Sequence, residues 1–382
     1  MGGPVNELKK LSRLGQSIWL DYIDRHLLRS GELNRLIEEA DLKGLTSNPA
    51  IFEKAIGTDV AYAKDLKNHS ESHANAEKIF EQLAIADIQA TADVLRKVYE
   101  QTRYRDGYVS LEVSPRLAYD VEGTISEAYR LWRAVNRENL MIKVPATEQG
   151  LSAITALLTE GINVNVTLLF SRSMYGRVAD AWLSGLEQFV INGGNPAKLA
   201  SVASFFVSRI DSTIDAMIHS HIKQTNDPRL QATLRSVLGK AAIANARLAY
   251  RQYQYLMSCE RWRRLSERGA QSQRLLWAST GTKDPSYSDV LYVESLIGPD
   301  TVNTVPPATL YAFNDHGTAR ATLEGDMEDA IRVEDTLAAL NISLDVVTQN
   351  LLTEGVKLFS GAYSTLLNEI MNQMGSKQYP VH

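Results

Sequence analysis

A lysine stands near the centre of a short apolar segment, residues 140–147, whose sequence is LMIKVPAT. Side chains alternate along a strand, so Met141, Lys143 and Pro145 are predicted to share one face. If the strand is buried on both sides, the ammonium group leaves water and gives up its proton more readily. The resulting amine can condense with a carbonyl to form a Schiff base. A lysine on an edge strand, or one reaching back to water, is the simpler alternative.

Polar residues also occur in the other predicted strands, mostly late in each. Parallel strands buried on both faces are usually continuous apolar runs, so a polar side chain there is unfavourable unless several meet and satisfy one another. We therefore expect these residues to point together into one pocket, although each of them considered alone is more simply explained as structural. They are Asp21, Asn48, Glu112, Asn163, Asn165, Thr167, Ser204 and Ser279.

One lysine and two carboxylates form a set suited to breaking a carbon–carbon bond. A protonated imine on Lys143 is an electron sink, and a carboxylate must take the proton from the departing hydroxyl. A second acid–base group is needed when the carbinolamine loses water. Asp21 and Glu112 are the two strand carboxylates available, whereas others, such as Asp211, lie in turns or at strand edges.

Two cationic positions could bind phosphate. Arg209 directly follows the sixth predicted strand, where a guanidinium group could hold phosphate through two hydrogen bonds. Residues 280–283 (TGTK) follow the seventh strand and combine a glycine turn, two hydroxyls and the ammonium group of Lys283. Ordinary surface charge explains either cation equally well when it is considered alone.

Neither a metal nor a nucleotide cofactor is predicted. The histidines are scattered, and His219 and His221 are two residues apart, which places them on different faces of a helix. The chain contains no G-x-G-x-x-G and no P-loop sequence. A metal-dependent class of aldolase is therefore disfavoured.

Eight strand-like segments alternate with helical ones. This order predicts parallel strands joined by right-handed crossovers, and eight such units favour an α/β fold of the (β/α)8 barrel type over an open doubly wound sheet. We expect residues 1–382 to form a single barrel domain with a helical insertion at about 211–268 and C-terminal helices at about 328–374. The strands are predicted at 17–22, 41–49, 108–114, 140–147, 162–169, 201–208, 274–280 and about 301–310, the last weakened by Pro306 and Pro307.

The composition limits the partners and the compartment. A net charge of -5 over 382 residues disfavours a broad nucleic-acid surface, and no apolar run approaches the ~20 residues of a membrane span. The single cysteine, Cys259, excludes an intramolecular disulfide and fits a reducing compartment. The first ten residues lack the apolar core of a signal peptide, so we expect a cytoplasmic protein. The sequence leaves a monomer and a homodimer equally open.

Four segments together resemble those of the transaldolase family: 46–49 (TSNP), 141–147 (MIKVPAT), 161–171 (GINVNVTLLFS) and 203–211 (ASFFVSRID). The similarity extends from about Ile18 to about Leu310, and residues 277–285 (WASTGTKDP) resemble the longer bacterial and plant-type subfamily. The resemblance implies a (β/α)8 barrel that moves a dihydroxyacetone unit between sugar phosphates in the non-oxidative pentose phosphate pathway, without a cofactor. The donor would be sedoheptulose 7-phosphate or fructose 6-phosphate, and the acceptor glyceraldehyde 3-phosphate or erythrose 4-phosphate.

The same resemblance assigns roles to single residues. It implies that Lys143 forms the Schiff base, that Asp21 is the base for the C4 hydroxyl, and that Glu112 and Thr167 handle the catalytic water. It also implies a substrate-binding set, in which Asn48, Asn165 and Ser204 hold the dihydroxyacetone hydroxyls, Phe206 lines the site and Arg209 binds phosphate.

The end of the seventh strand departs from the family pattern. Shorter members carry an arginine two residues after the serine that corresponds to Ser279, whereas this chain has Gly281 there and Lys283 two residues further on. We expect Ser279 to contact substrate and Lys283 to take over part of the phosphate binding. Two rival functions remain open: a class I aldolase that releases free dihydroxyacetone, and a sugar-phosphate-binding protein without turnover.

Overall fold

The computed structural model describes residues 6–69 and 75–375. Eight parallel strands close into a barrel in sequence order, and β8 pairs with β1. The predicted (β/α)8 fold is therefore confirmed. The strands are β1 (Gln16–Asp21), β2 (Gly44–Thr46), β3 (Tyr108–Glu112), β4 (Leu140–Pro145), β5 (Val164–Leu169), β6 (Ser201–Phe206), β7 (Arg274–Ala278) and β8 (Thr301–Val305).

Helices separate the strands and cover the barrel. Within the described residues they are α1 (Glu7–Arg13), α2 (Arg25–Arg29), α3 (Glu32–Ala40), α4 (Pro49–Thr58), α5 (Val60–His69), α6 (Ala76–Gln101), α7 (Val121–Val135), α8 (Glu148–Thr159), α9 (Arg172–Ile191), α10 (Ser208–Gln224), α11 (Pro228–Ser236), α12 (Ala241–Met257), α13 (Glu260–Ser266), α14 (Leu291–Ser295), α15 (Pro307–His316), α16 (Met327–Ala339) and α17 (Leu344–Gly375). None of these helices is long and apolar enough to cross a membrane.

The strand register sets the polar side chains side by side. Lys143 on β4 is paired with Glu112 on β3 and with Asn165 on β5. Asp21, the last residue of β1, is paired with Thr46 on β2. Because paired residues in a parallel sheet lie at the same height, these side chains meet near the carboxyl ends of the strands.

A buried ion pair fills the opposite end of the barrel. Arg274, the first residue of β7, donates to Asp106 at 2.9 Å and to Ser17 at 2.8 Å. Asp106 also accepts from the indole nitrogen of Trp19 at 3.0 Å. Burial would raise the pKa of Asp106, but the charge of Arg274 and these hydrogen bonds hold it below its usual range. This end is therefore packed by a satisfied polar cluster.

Two predicted strand boundaries were wrong for identifiable reasons. Strand β8 ends at Val305, because Pro306 precedes α15 and Pro307 is its first residue, a position where no intrahelical N–H is needed. Strand β2 has only three residues, because Asp41 ends α3 with a φ of 55° and Asn48 already begins α4. The predicted cap at Thr147 is confirmed, since its hydroxyl accepts from the Gly150 N–H at 3.0 Å.

The C-terminal helix α17 packs across the carboxyl end of β5 and against α4, α5, α6 and α10. Its Gly355 lies against Leu168, where an added Cβ would come within 2.8 Å of the leucine side chain. Leu168 itself has a φ of 56°, and the pairing of β5 with β6 shifts by a residue there. The helix therefore covers one side of the barrel mouth where β5 is irregular.

Candidate active site

Lys143 is buried in the barrel, with only 4% of its surface exposed. Its Nζ donates to the Ser47 carbonyl at 3.0 Å and lies 3.4 Å from Glu112 Oε2. Strand β4 lies between β3 and β5 in a closed sheet, so it is not an edge strand. The simpler alternatives of an edge lysine or one reaching water are therefore wrong.

Glu112 is the carboxylate nearest to the amine, and its side chain is 5% exposed. Burial raises its pKa to about 6, although the Lys143 charge acts in the opposite direction. Within the described residues its Oε2 has no hydrogen-bond partner. A buried carboxylate with an open acceptor atom and a pKa near neutrality is suited to moving protons.

Asp21 supplies the second carboxylate. Its Oδ1 accepts from the Thr46 hydroxyl at 2.6 Å, and that hydroxyl lies 2.7 Å from the hydroxyl of Thr304. Burial raises the pKa of Asp21, while the charges of Lys143 and Lys283 and the Thr46 hydrogen bond oppose this rise. Both lysines therefore act electrostatically on the same carboxylate.

The polar residues of β5 and β6 satisfy one another, as the sequence predicted. Asn165 donates to the Ser110 hydroxyl at 3.0 Å and accepts from the Ser204 hydroxyl at 2.6 Å. The buried Thr167 hydroxyl has no hydrogen-bond partner among the residues that the structure describes. It remains available for a substrate or water, since an unpaired buried hydroxyl is unfavourable.

A cationic region lies beside this network. Arg209 on α10 is partly buried, and its guanidinium carbon is 5.6 Å from the centre of the Phe206 ring. Burial lowers its pKa, and Glu354 on α17 opposes that shift. Arg209 forms no hydrogen bond or ion pair with any described residue. A partly buried guanidinium group that no carboxylate contacts directly is suited to binding an anion.

Ser279 and Lys283 lie on the segment that follows β7. Ser279 has a φ of 55°, and its hydroxyl is 3.0 Å from that of Ser208 at the start of α10. Lys283 is exposed. Its charge nonetheless lowers the pKa of Asp21, against the larger effect of burial.

Two predicted residues have structural tasks. The Asn48 side chain accepts from the Ile51 N–H at 3.0 Å and caps α4, which leaves its amide N–H groups for a substrate. Asn163 lies just before β5, at the opposite end from Thr167, and binds the carbonyls of Glu138 and Leu140. The expectation that Asn163 joins the polar set was therefore wrong, because its position along the strand places it below the site.

Sequence reasoning missed three residues around the amine. Thr46 binds Asp21, the Ser47 carbonyl accepts from Lys143, and Ser110 binds Asn165. Ser110 stands two residues before Glu112, so strand alternation could have placed it on the same face. The role of Thr46 depends on the register between β1 and β2, and the role of Ser47 depends on its backbone carbonyl. Neither feature can be read from a pattern of residue types.

Comparisons with known proteins agree with this geometry. Residues 18–370 match the family model described as Transaldolase/Fructose-6-phosphate aldolase. A Transaldolase from Trichodesmium erythraeum is 47% identical over 368 residues, covering 96% of this chain and 97% of the relative. A Transaldolase 2 from Nostoc punctiforme is 47% identical, covering 97% and 98%, and a Transaldolase from Thermobifida fusca is 46% identical, covering 98% and 100%. The chain belongs to the transaldolase family.

Membership in the transaldolase family confirms the transaldolase activity predicted from the sequence and the assignment to the transferases, whereas the Schiff base on Lys143 stays a prediction. The family description also includes fructose-6-phosphate aldolase, the rival function considered above. The relatives named here are transaldolases over nearly their full length, which favours transfer over release. Among the described residues of this transaldolase, no group of three or more His, Cys, Asp or Glu is placed to hold a metal ion.

Proposed function

We propose that the chain transfers a dihydroxyacetone unit from a ketose phosphate to an aldose phosphate through a Schiff base on Lys143. The observation that carries this proposal is the burial of the Lys143 amine 3.4 Å from Glu112, on a face shared with Asp21. A buried amine beside one carboxylate, with a second on the same face of the barrel, has both the nucleophile and the acid–base groups that imine chemistry requires.

In the first half-reaction, Nζ attacks the C2 carbonyl of sedoheptulose 7-phosphate or fructose 6-phosphate. The carbinolamine loses water with Glu112 and Thr167 moving the protons, and a protonated imine forms. Asp21 then takes the proton of the C4 hydroxyl, the C3–C4 bond breaks, and its electrons pass to the imine nitrogen. An aldose phosphate leaves and an enamine remains on Lys143.

In the second half-reaction, the enamine carbon attacks the aldehyde of glyceraldehyde 3-phosphate or erythrose 4-phosphate. Asp21 returns its proton to the new hydroxyl, and water releases the product from Lys143. Transfer needs an enamine that is oriented and kept from water. The network of Asn165 and Ser204 and the free amide of Asn48 suit the dihydroxyacetone hydroxyls. Phe206 would line the site, and Arg209, Ser279 and Lys283 would contact the phosphate end.

The decisive experiment is trapping of the intermediate. The protein is incubated with fructose 6-phosphate, reduced with borohydride, and analysed by intact mass and peptide mapping. We expect a covalent adduct on Lys143, whereas a protein without an adduct would be a binding protein without turnover.

The aldolase alternative has its own test, because the family description includes that activity. Fructose 6-phosphate is supplied with and without erythrose 4-phosphate, and free dihydroxyacetone is measured. We expect product formation to depend on the acceptor. Release of free dihydroxyacetone at the same rate without acceptor would assign the chain to the aldolases.

Replacing Arg209 by alanine should raise the KM for phosphorylated substrates about 10- to 100-fold and leave kcat little changed. This range follows from the loss of charge-assisted hydrogen bonds of roughly 1.5–3 kcal/mol. Steady-state kinetics with glyceraldehyde 3-phosphate and with unphosphorylated glyceraldehyde provide the measurement. Arg229→Ala, at an exposed site on α11, is the control. An equal loss on both acceptors would contradict a phosphate-binding role.

Adduct formation should lose rate as the pH falls through about 6. The pKa of Glu112 is raised to about 6 by burial, so the carboxylate is ionised above this pH and protonated below it. The substrate for this profile is unphosphorylated dihydroxyacetone, because phosphate esters also titrate near pH 6. We expect the acid limb to disappear in Glu112→Gln and to persist in Asp21→Asn. An acid limb that survives in Glu112→Gln would assign it to another group.

Sugar phosphates are the proposed partners, with no nucleic acid or membrane partner, and the proposed compartment is the cytoplasm. Residues 1–382 are proposed as one barrel domain with a helical insertion at about 211–268 and C-terminal helices at about 328–374.

A further inference from the structure

Two buried aspartates lie one turn apart on α10, and the chemistry proposed above uses neither. Asp211 accepts from the Ala242 N–H at 2.7 Å, and Asp215 accepts from the Gly239 N–H at 3.0 Å. Both donors belong to the chain around the start of α12. The aspartates therefore fix the start of α12 against α10.

Each aspartate also accepts a tyrosine hydroxyl from the segment that follows β7. Tyr292 donates to Asp211 and Tyr287 donates to Asp215, both at 2.9 Å. The Tyr287 ring packs directly on Gly239, whose φ is 66° and where an added Cβ would lie 2.8 Å from the ring. Two separate segments, the chain around the start of α12 and the segment after β7, are thus held together by one face of α10.

The segment held in this way, residues 279–292, carries Ser279 and Lys283, two of the three residues proposed for the phosphate end. At its beginning the Ser279 carbonyl accepts from the Ser208 N–H at 3.0 Å, so α10 anchors the segment at both ends. Between the anchors, Thr282 donates to the Ser288 carbonyl at 2.8 Å and closes a loop. Lys283 lies on this loop and forms no hydrogen bond or ion pair with the described residues.

The same helix carries the other cation, since Arg209 precedes Asp211 by two residues. A lysine on an untethered exposed loop samples many positions, and ordering it on binding costs conformational entropy. Tethers that fix the loop beforehand reduce that cost. The contacts of α10 therefore fix the loop that carries Lys283 against the helix that carries Arg209.

We infer that Asp211 and Asp215 are positioning residues for phosphate recognition, acting through Tyr292 and Tyr287 on the loop that carries Lys283. The inference rests on the proposed function, because it assumes that Lys283 contacts a substrate phosphate. It also gives the start of the 211–268 segment a task, since Asp211 and Asp215 bind both the chain around the start of α12 and this loop.

The test uses Tyr287→Phe and Tyr292→Phe together, since each removes one hydroxyl and keeps the ring. We expect each lost hydrogen bond to raise the KM for glyceraldehyde 3-phosphate by at most about 3- to 10-fold. The kcat should change by less than about twofold. The KM for unphosphorylated glyceraldehyde should stay constant. The inhibition constant of inorganic phosphate should rise by the same factor as the KM for the phosphorylated acceptor.

A matched control is available on the same helical segment. Tyr253 on α12 is buried, and its hydroxyl donates at 3.0 Å to Ser272, which precedes β7 at the opposite end of the barrel. Tyr253→Phe removes a comparable hydrogen bond without touching the loop, and we expect it to leave both KM values unchanged.

A double-mutant cycle with Lys283→Ala tests whether the tethers, the hydrogen bonds of Tyr287 and Tyr292, act on the KM through Lys283. If the tethers act through Lys283, its removal should raise the KM in the wild-type background and add little in the double tyrosine variant. Fully additive effects would overturn the inference, as would an equal rise for both acceptors or a lowered melting temperature with unchanged KM values. A wild-type protein that transfers to neither acceptor would instead refute the proposed function.

Discussion

Replacing Lys143 by alanine should abolish the borohydride-trapped adduct and lower transfer activity by ~10⁴-fold or more, because the nucleophile of a covalent mechanism has no substitute. The adduct is measured by intact mass after incubation with fructose 6-phosphate, and the fold by circular dichroism. We expect the fold to be retained. The Lys143 charge opposes the rise that burial causes in the pKa of Glu112. Without that charge the pKa of Glu112 rises further, and the buried carboxyl is neutral over a wider pH range.

Two further variants separate the amine from its charge. Lys143→Arg keeps a cation beside Glu112 but cannot form an imine, so it should be as inactive as the alanine variant. Lys198→Ala removes a surface lysine that pairs with Glu138 and should give the wild-type adduct. An adduct that persists in Lys143→Ala would place the Schiff base on another lysine.

Replacing Asp21 by asparagine should stop bond cleavage while leaving Schiff-base formation intact. We expect kcat to fall by about 10²- to 10⁴-fold, the usual contribution of a positioned general base. The trapped species distinguishes the steps: the wild type should accumulate the three-carbon unit, and Asp21→Asn the uncleaved sugar. Mass spectrometry separates these two adducts directly.

Glu112→Gln provides the contrast, because it should slow formation of either adduct. Its Oε2 is the open acceptor beside the amine, whereas Asp21 is held by Thr46. A three-carbon adduct formed at the wild-type rate in Asp21→Asn would assign the C4 proton to a different base. Equal kinetics in the two variants would show that the carboxylates do not divide the proton transfers as proposed.

The sequence was most informative where polar or charged side chains occur in segments predicted to be buried. A lysine in LMIKVPAT, and polar residues in neighbouring apolar strands, are costly unless they meet, and Lys143, Asn165 and Ser204 do meet. Strand alternation then predicted the shared face correctly. The same alternation misplaced Asn163, since it gives the face of a residue but not its height in the barrel.

Other features depend on contacts that no local pattern encodes. Pro306 and Pro307 suggested a weakened strand, although they are the start of α15. The position of α17 over β5 follows from packing between residues almost 200 positions apart, such as Leu168 and Gly355. The tethers from Tyr287 and Tyr292 likewise join segments that look unrelated in sequence.

Closure of the barrel has a consequence for how the chain is made. Gln16 on β1 pairs with Thr301 on β8, and 285 residues separate them. At roughly 5–20 residues per second, a ribosome needs about 15–60 s between these two residues. Until β8 emerges, one edge of β1 has unpaired main-chain groups that can recruit other strands. The pairing that closes the sheet therefore leaves an exposed strand edge on the nascent chain until β8 has been synthesised.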